Sequence, residues 1–76
     1  MGAFKMKSLN GYTEMYTTPR EKEAKKVKII LRKNGIAYQS QEEQREYGWR
    51  YCIYVQKKSA NKALKVLETA IENEEL

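Results

Sequence analysis

Two short segments bracket a helix and mark both of its ends. Thr18-Pro19-Arg20-Glu21 reads as the start. The Thr18 hydroxyl can cap, Pro19 suits a first helical position whose N–H would go unpaired, and Glu21 can reach back as a capping box. Asn34-Gly35-Ile36 reads as the stop, with Gly35 left-handed just past the helix and Ile36 meeting Leu31 in a Schellman motif. Between these signals Ala24, Val27, Ile30 and Leu31 fall on one face. Both flanks look like strands. Tyr12–Thr17 alternates β-favouring residues, and Ile36–Gln41 reads as a more polar strand suited to a sheet edge.

The rest of the chain extends this pattern. Residues 42–48 are a charged loop ending in Gly48, and Trp49–Gln56 is the strongest strand, with Trp49, Tyr51, Ile53 and Val55 on one face. Residues 57–61 turn the chain, with Ser59 as a helix cap, and Ala60, Ala63, Leu64, Leu67 and Ile71 then line a final helix. The order β-α-β-β-α, with a right-handed crossover, predicts an α+β, ferredoxin-like fold. Its three-stranded sheet has order 2-3-1 and carries two helices on one face. The first strand keeps an open edge, and the other sheet face is uncovered. Residues 1–8 carry no pattern and are expected as a flexible N-terminal arm; residues 9–76 form the single α+β domain.

The helical pattern Thr18-Pro19-Arg20-Glu21, Ala24, Ile30, Leu31, Asn34-Gly35-Ile36, followed by Trp49, Ile53-Tyr54-Val55 and Ala63-Leu64…Leu67, resembles small bacterial signal-transducing domains related to PII proteins. The resemblance spans Tyr12 to Ile71. It implies a regulatory role in a bacterial cytoplasm, and it transfers no ligand residue.

Composition narrows the function classes. The chain has no His, and all of its acidic residues are Glu, so His-based triads and Asp-based phosphoryl transfer are excluded. Ser8, Ser40, Ser59 and Cys52 are the available nucleophiles, and only Lys or Glu stands ready to activate them. The expectation is a protein that is not an enzyme, with no metal and no cofactor. Single Cys52 closes no intramolecular disulfide, which points to a reducing, cytoplasmic setting. No apolar run reaches membrane-spanning length, and the N-terminus lacks the apolar stretch of a secretory signal. Leu, Ile, Val and Phe are scarce. A chain this short with so few aliphatics builds a thin core, and pairing with a second copy would relieve it.

Two candidate binding surfaces follow. At 100° per residue Ile29 lies about 140° from Ala24, opposite the buried side, among Lys22, Lys25, Lys26, Arg32 and Lys33. An apolar centre ringed by cations suits an acidic partner, with Ile29 as the anchor. The second surface is the uncovered sheet face. If Ile53 and Val55 point to the helices, Arg50 and Tyr54 point outward, and Tyr12 and Tyr16 join them if Met15 points inward. Tyr and Arg on an open sheet are how RNA-recognition folds stack single-stranded bases. The net charge of +5 suits such a ligand. The leading expectation is nonetheless a binding or regulatory module acting through protein association, with another protein or with itself. Single-stranded nucleic acid is the alternative.

Overall fold

The computed structural model describes residues 11–76, so the expected arm over residues 1–8 lies outside the described residues. Three strands and two helices follow in the order β1 (Tyr12–Thr18), α1 (Glu21–Lys33), β2 (Tyr38–Arg45), β3 (Gly48–Gln56) and α2 (Ala60–Glu72), with a 3-10 turn (Lys57–Ser59) leading into α2. The sheet order is β1-β3-β2, and β3 pairs antiparallel with both neighbours. This is the α+β arrangement read from the sequence. Ile53 and Val55 of β3 meet Ala24, Val27, Ile30 and Leu31 of α1 and Ala63, Leu67 and Ala70 of α2 in one core. Both helices therefore cover the same sheet face.

The start of α1 differs from the expected capping box. Thr18 remains in β1, paired with Tyr51, so the cap position falls to Arg20 and Glu23 becomes the third helical residue. Glu23, rather than Glu21, reaches back. Its Oε1 accepts from the Tyr16 hydroxyl at 3.1 Å and the Thr18 hydroxyl at 2.7 Å. Its Oε2 accepts from Arg20 Nη2 at 2.8 Å and Nε at 3.2 Å. The Thr18 hydroxyl in turn accepts from the Arg20 N–H at 3.1 Å. Chiefly through the hydrogen bonds from Thr18 and Arg20, the Glu23 carboxyl is held down at about 2.

The helix stop is as expected. Gly35 has φ +71°, Ile36 N–H donates to Leu31 O at 2.9 Å, and Gly35 N–H donates to Arg32 O at 3.0 Å. Those two bonds define a Schellman motif, and both Ile36 and Leu31 are buried. The same closure recurs after α2. Glu75 N–H donates to Ala70 O at 2.8 Å and Glu74 N–H to Ile71 O at 3.0 Å, but here the left-handed residue is Glu74 at φ 61°.

Further expectations are corrected in whole or in part. Residues 42–48 are no loop: β2 runs through Arg45, and the hairpin turns on Glu46 and Tyr47, with Gly48 at φ 113°. An edge strand wet on both faces tolerates this run of charge, which is why composition there mimics a loop. Ser59 ends the 3-10 turn and holds the cap position of α2 as expected, but its side chain makes no capping hydrogen bond. In α2 the inward stripe is Ala63, Leu67 and Ala70, whereas Leu64 and Ile71 are exposed. Small Ala residues let α2 lie close to the sheet and α1, which rotates the larger aliphatics outward. Trp49, expected with the core face, is also exposed.

Two measurements check this frame. In urea unfolding, Gly35→Ala should lose about 1 kcal/mol purely from the left-handed backbone, since an added Cβ meets nothing within 4 Å. Glu74→Gly should gain a few tenths to about 1 kcal/mol for the opposite reason. In acid, the unfolded chain takes up the Glu23 proton near the ordinary 4.5, while the folded chain holds off until about 2. The stabilisation is therefore complete above that upper value and is lost as pH falls through the window. Melting temperature should fall more steeply from pH 4.5 to pH 2 in the wild type than in Glu23→Gln.

Candidate functional site

The first surface lies on α1, whose apolar stripe is spent on the core. Ala24, Val27, Ile30 and Leu31 are buried, and Ile29 is 53% exposed on the other side. Lys22, Lys25, Lys26, Arg32 and Lys33 are all exposed, and each lies within about 60° of Ile29 around the helix axis. The spacing 22, 25/26, 29, 32/33 is a heptad-like outward stripe. Lys25 lies 3.8 Å from Glu21, and Arg32 donates to the Tyr38 hydroxyl at 3.4 Å. Among the described residues Lys22, Lys26 and Lys33 enter no ion pair. The structure thus brings together every residue the sequence placed on this face. Arg32 and Lys33 also sit in the last turn of α1 and Glu21 and Glu23 in the first, so charge and helix dipole agree.

The second surface differs from the expected stacking platform. Register shifts between Glu14 and Tyr16, where Met15 forms a bulge. A bulge places an extra residue on one strand and reverses the alternation beyond it. Met15 and Tyr16 therefore both pack against the core side. Tyr16, expected on the open face, pairs with Ile53 and bonds to Glu23 instead. Burial, with Glu23 as the second cause, pushes its hydroxyl pKa up.

Tyr12, Arg50 and Tyr54 do lie on the open face. Tyr12 pairs with Gln56, Tyr54 with Glu14 and Gln39, and Arg50 with Glu43. Yet Tyr54 is 2% exposed, which corrects the expectation of an accessible ring. Its hydroxyl donates to Glu43 Oε2 at 2.6 Å. Burial first, then that carboxylate, pushes the phenol well above its ordinary range. Arg50 folds back on the hairpin, donating to Trp49 O at 3.0 Å.

A charged lattice across this face went unforeseen. Arg45 Nη2 donates to Glu14 Oε1 at 2.7 Å, Glu43 Oε1 at 2.9 Å and Cys52 Sγ at 3.1 Å. It ties β1, β2 and β3 together, and its pKa is raised chiefly by the bonds to Glu14 and then Glu43. Cys52 is buried, its thiol pushed up by burial. Such a thiol is unreactive. With two carboxylates beside Tyr54 and its ring covered, the face offers a phosphate chain little attraction. Extending the alternation of β2 through Arg45 would have put Glu43 and Arg45 on one face; reading that segment as a loop hid them.

Among the described residues no group of three or more His, Cys, Asp or Glu is placed to hold a metal ion, and no helix is long and apolar enough to cross a membrane. Compared with protein-family models, curated proteins and solved structures, the chain matches none.

The covered ring has a measurable consequence. Tyr54→Ala should cost roughly 3–5 kcal/mol, as aromatic truncations in cores do. Tyr54→Phe should cost roughly 1 kcal/mol, because Glu43 keeps its bond to Arg45. Urea denaturation of both variants checks this. A Tyr54→Ala protein as stable as the wild type would place the ring outside the core.

Proposed function

We propose that this chain is a small ferredoxin-like binding module, not an enzyme, that acts in regulation through protein association. The partner is acidic and docks on the outer face of α1. The observation that supports this most is Ile29, half exposed at the centre of Lys22, Lys25, Lys26, Arg32 and Lys33. A solvated helix face gains nothing from a β-branched aliphatic, since Lys or Glu has better helix propensity. An interface gains an anchor to desolvate and a ring of charge to steer approach. The resemblance to PII-related signalling domains favours the same role, and a cytoplasmic setting accords with Cys52 as a free thiol.

The partner chemistry follows from the stripe. An acidic amphipathic helix can lay one apolar residue against Ile29 and carboxylates against the flanking cations, a helix-against-helix contact of the coiled-coil kind. Single-stranded nucleic acid on the sheet face has less support. Tyr16 points to the helices and Tyr54 is covered, leaving Tyr12 and Arg50 without a platform.

A designed acidic amphipathic peptide and a single-stranded oligonucleotide, each titrated at two salt concentrations, separate the readings. Ile29→Glu should keep its circular dichroism spectrum and melting temperature and bind the peptide about 30-fold more weakly, the effect of an anchor of about 2 kcal/mol. Ile29→Leu should bind as the wild type does. Unchanged peptide binding by a folded Ile29→Glu variant rejects the apolar anchor. Oligonucleotide binding that is tight and falls steeply with salt favours nucleic acid instead.

A further inference from the structure

One edge of the sheet carries an inference independent of the outer face of α1. β3 is central, so β1 and β2 each keep one edge unpaired. The two edges differ. A bulge at Met15 breaks β1, whereas β2 keeps unbroken register with β3 from Tyr38 to Arg45. Arg45 and Gly48 close the hairpin across a two-residue loop and so form a hydrogen-bonded pair. Alternation then turns the N–H and C=O groups of Gln39, Gln41 and Glu43 toward β3, and those of Tyr38, Ser40, Glu42 and Gln44 outward. The other side of β3 agrees. Lys57 N–H donates to Gly11 O at 3.0 Å, so odd-numbered residues there bond toward β1 and even-numbered ones toward β2. Neither Pro nor Lys guards the edge of β2, and Glu43 and Arg45 are bound to each other on the open face. Glu42 stands exposed on the helix side, in an open cleft of about 380 Å³ that β2 forms with Lys25 and Lys28 of α1.

We propose that β2 pairs antiparallel with β2 of a second copy, across a two-fold axis through Gln41, to make one continuous sheet. Outward groups meet only where even-numbered residues face even-numbered ones, which leaves few registers. An axis through Glu42 or Glu43 sets like charges directly opposite each other, which is unfavourable. An axis through Ser40 pairs only the stretch from Tyr38 to Glu42. With Gln41 on the axis, Tyr38 faces Gln44, Ser40 faces Glu42 and Gln39 faces Glu43, so no like charges meet. The edge is therefore its own complement, as an isologous contact requires. Ser40 borders the cleft that holds Lys25 and Lys28, so this register also brings Glu42 of the second copy beside two cations. Lys28 enters no ion pair among the described residues. Glu21 and Glu42 balance the two lysines within the cleft, so two copies of it bring no net charge together. The four facing pairs exchange about eight main-chain hydrogen bonds, close to the roughly ten of a standard interface. Association here draws on backbone groups and needs no large apolar patch.

Sedimentation equilibrium and amide hydrogen exchange of the full chain test the proposal together. The apparent mass should rise with concentration from 9.0 kDa toward twice that value and stop there. Over the same range the N–H groups of Ser40 and Glu42, open to water in the monomer, should come to exchange about tenfold more slowly. Ser40→Pro removes an outward N–H and leaves the ladder with β3 whole. It should keep its circular dichroism spectrum and weaken dimerisation by about 100-fold, because the change occurs twice across the axis. Glu42→Lys and Lys28→Glu chains should each dimerise poorly alone and pair with each other when mixed, which tests the register even where the Pro variant unfolds. Ile29→Glu should still dimerise. A wild type that stays monomeric at several hundred micromolar overturns the proposal. So does a dimer whose Ser40 and Glu42 amides exchange as in the monomer, a dimer that survives Ser40→Pro, assembly beyond two copies, or charge variants that fail to pair. Loss of dimer on Ile29→Glu alone would move self-association to α1, a failure separate from any result with the acidic peptide.

Discussion

One carboxylate settles where α1 begins, and the rest of the molecule is arranged around that helix. Glu23 accepts hydrogen bonds from Tyr16 and Thr18 of β1 and from Arg20 at the helix cap. A strand end, a connection and a first helical turn are thereby tied at one point. The bulge at Met15 is what brings Tyr16 round to the helix side to take part. With the start tied by Glu23 and the stop tied by the Schellman bonds of Gly35 and Ile36, α1 has little freedom to rotate. Its inner stripe of Ala24, Val27, Ile30 and Leu31 is committed to the core, and its outer stripe of cations around Ile29 is committed to solvent or to a partner.

The two faces of the sheet do different work. On the helix side a small set of aliphatics and Ala makes the core. On the other side Arg45 gathers Glu14, Glu43 and Cys52, and Glu43 also receives the Tyr54 hydroxyl. Cross-strand charge pairs and satisfied hydrogen bonds let that face hold three strands together without a third layer. No buried side-chain nitrogen or oxygen among the described residues lacks a partner. A face already engaged with itself is poorly suited to stacking bases, so the association with an acidic partner proposed above is assigned to the outer face of α1.

What was legible in the sequence was local and periodic. The Gly35 stop, the inner stripe of α1, the strand over Trp49–Gln56 and the exposure of Ile29 all rest on signals within one or two turns of chain. What was not legible depends on partners distant in sequence. Thr18 looks like a cap until its pairing with Tyr51 keeps it in the strand. Glu42, Glu43 and Arg45 look like a loop until β3 lies beside them. Tyr16 looks outward because alternation cannot reveal a bulge, and Leu64 and Ile71 look buried because a helical wheel does not say how closely Ala63 and Ala70 let the helix approach. Strand register and helix rotation are tertiary properties, and each of these four differences traces to one of them.

The central claim is that α1 presents a steered, apolar-centred docking face while the sheet face is closed. Backbone amide chemical-shift mapping during titration with an acidic amphipathic peptide tests it most directly. Perturbations confined to the outward positions of α1, from Lys22 to Lys33 and centred on Ile29, are the predicted result. Perturbations centred on Tyr12, Arg50 and Tyr54 across the sheet, with α1 unmoved, would contradict it.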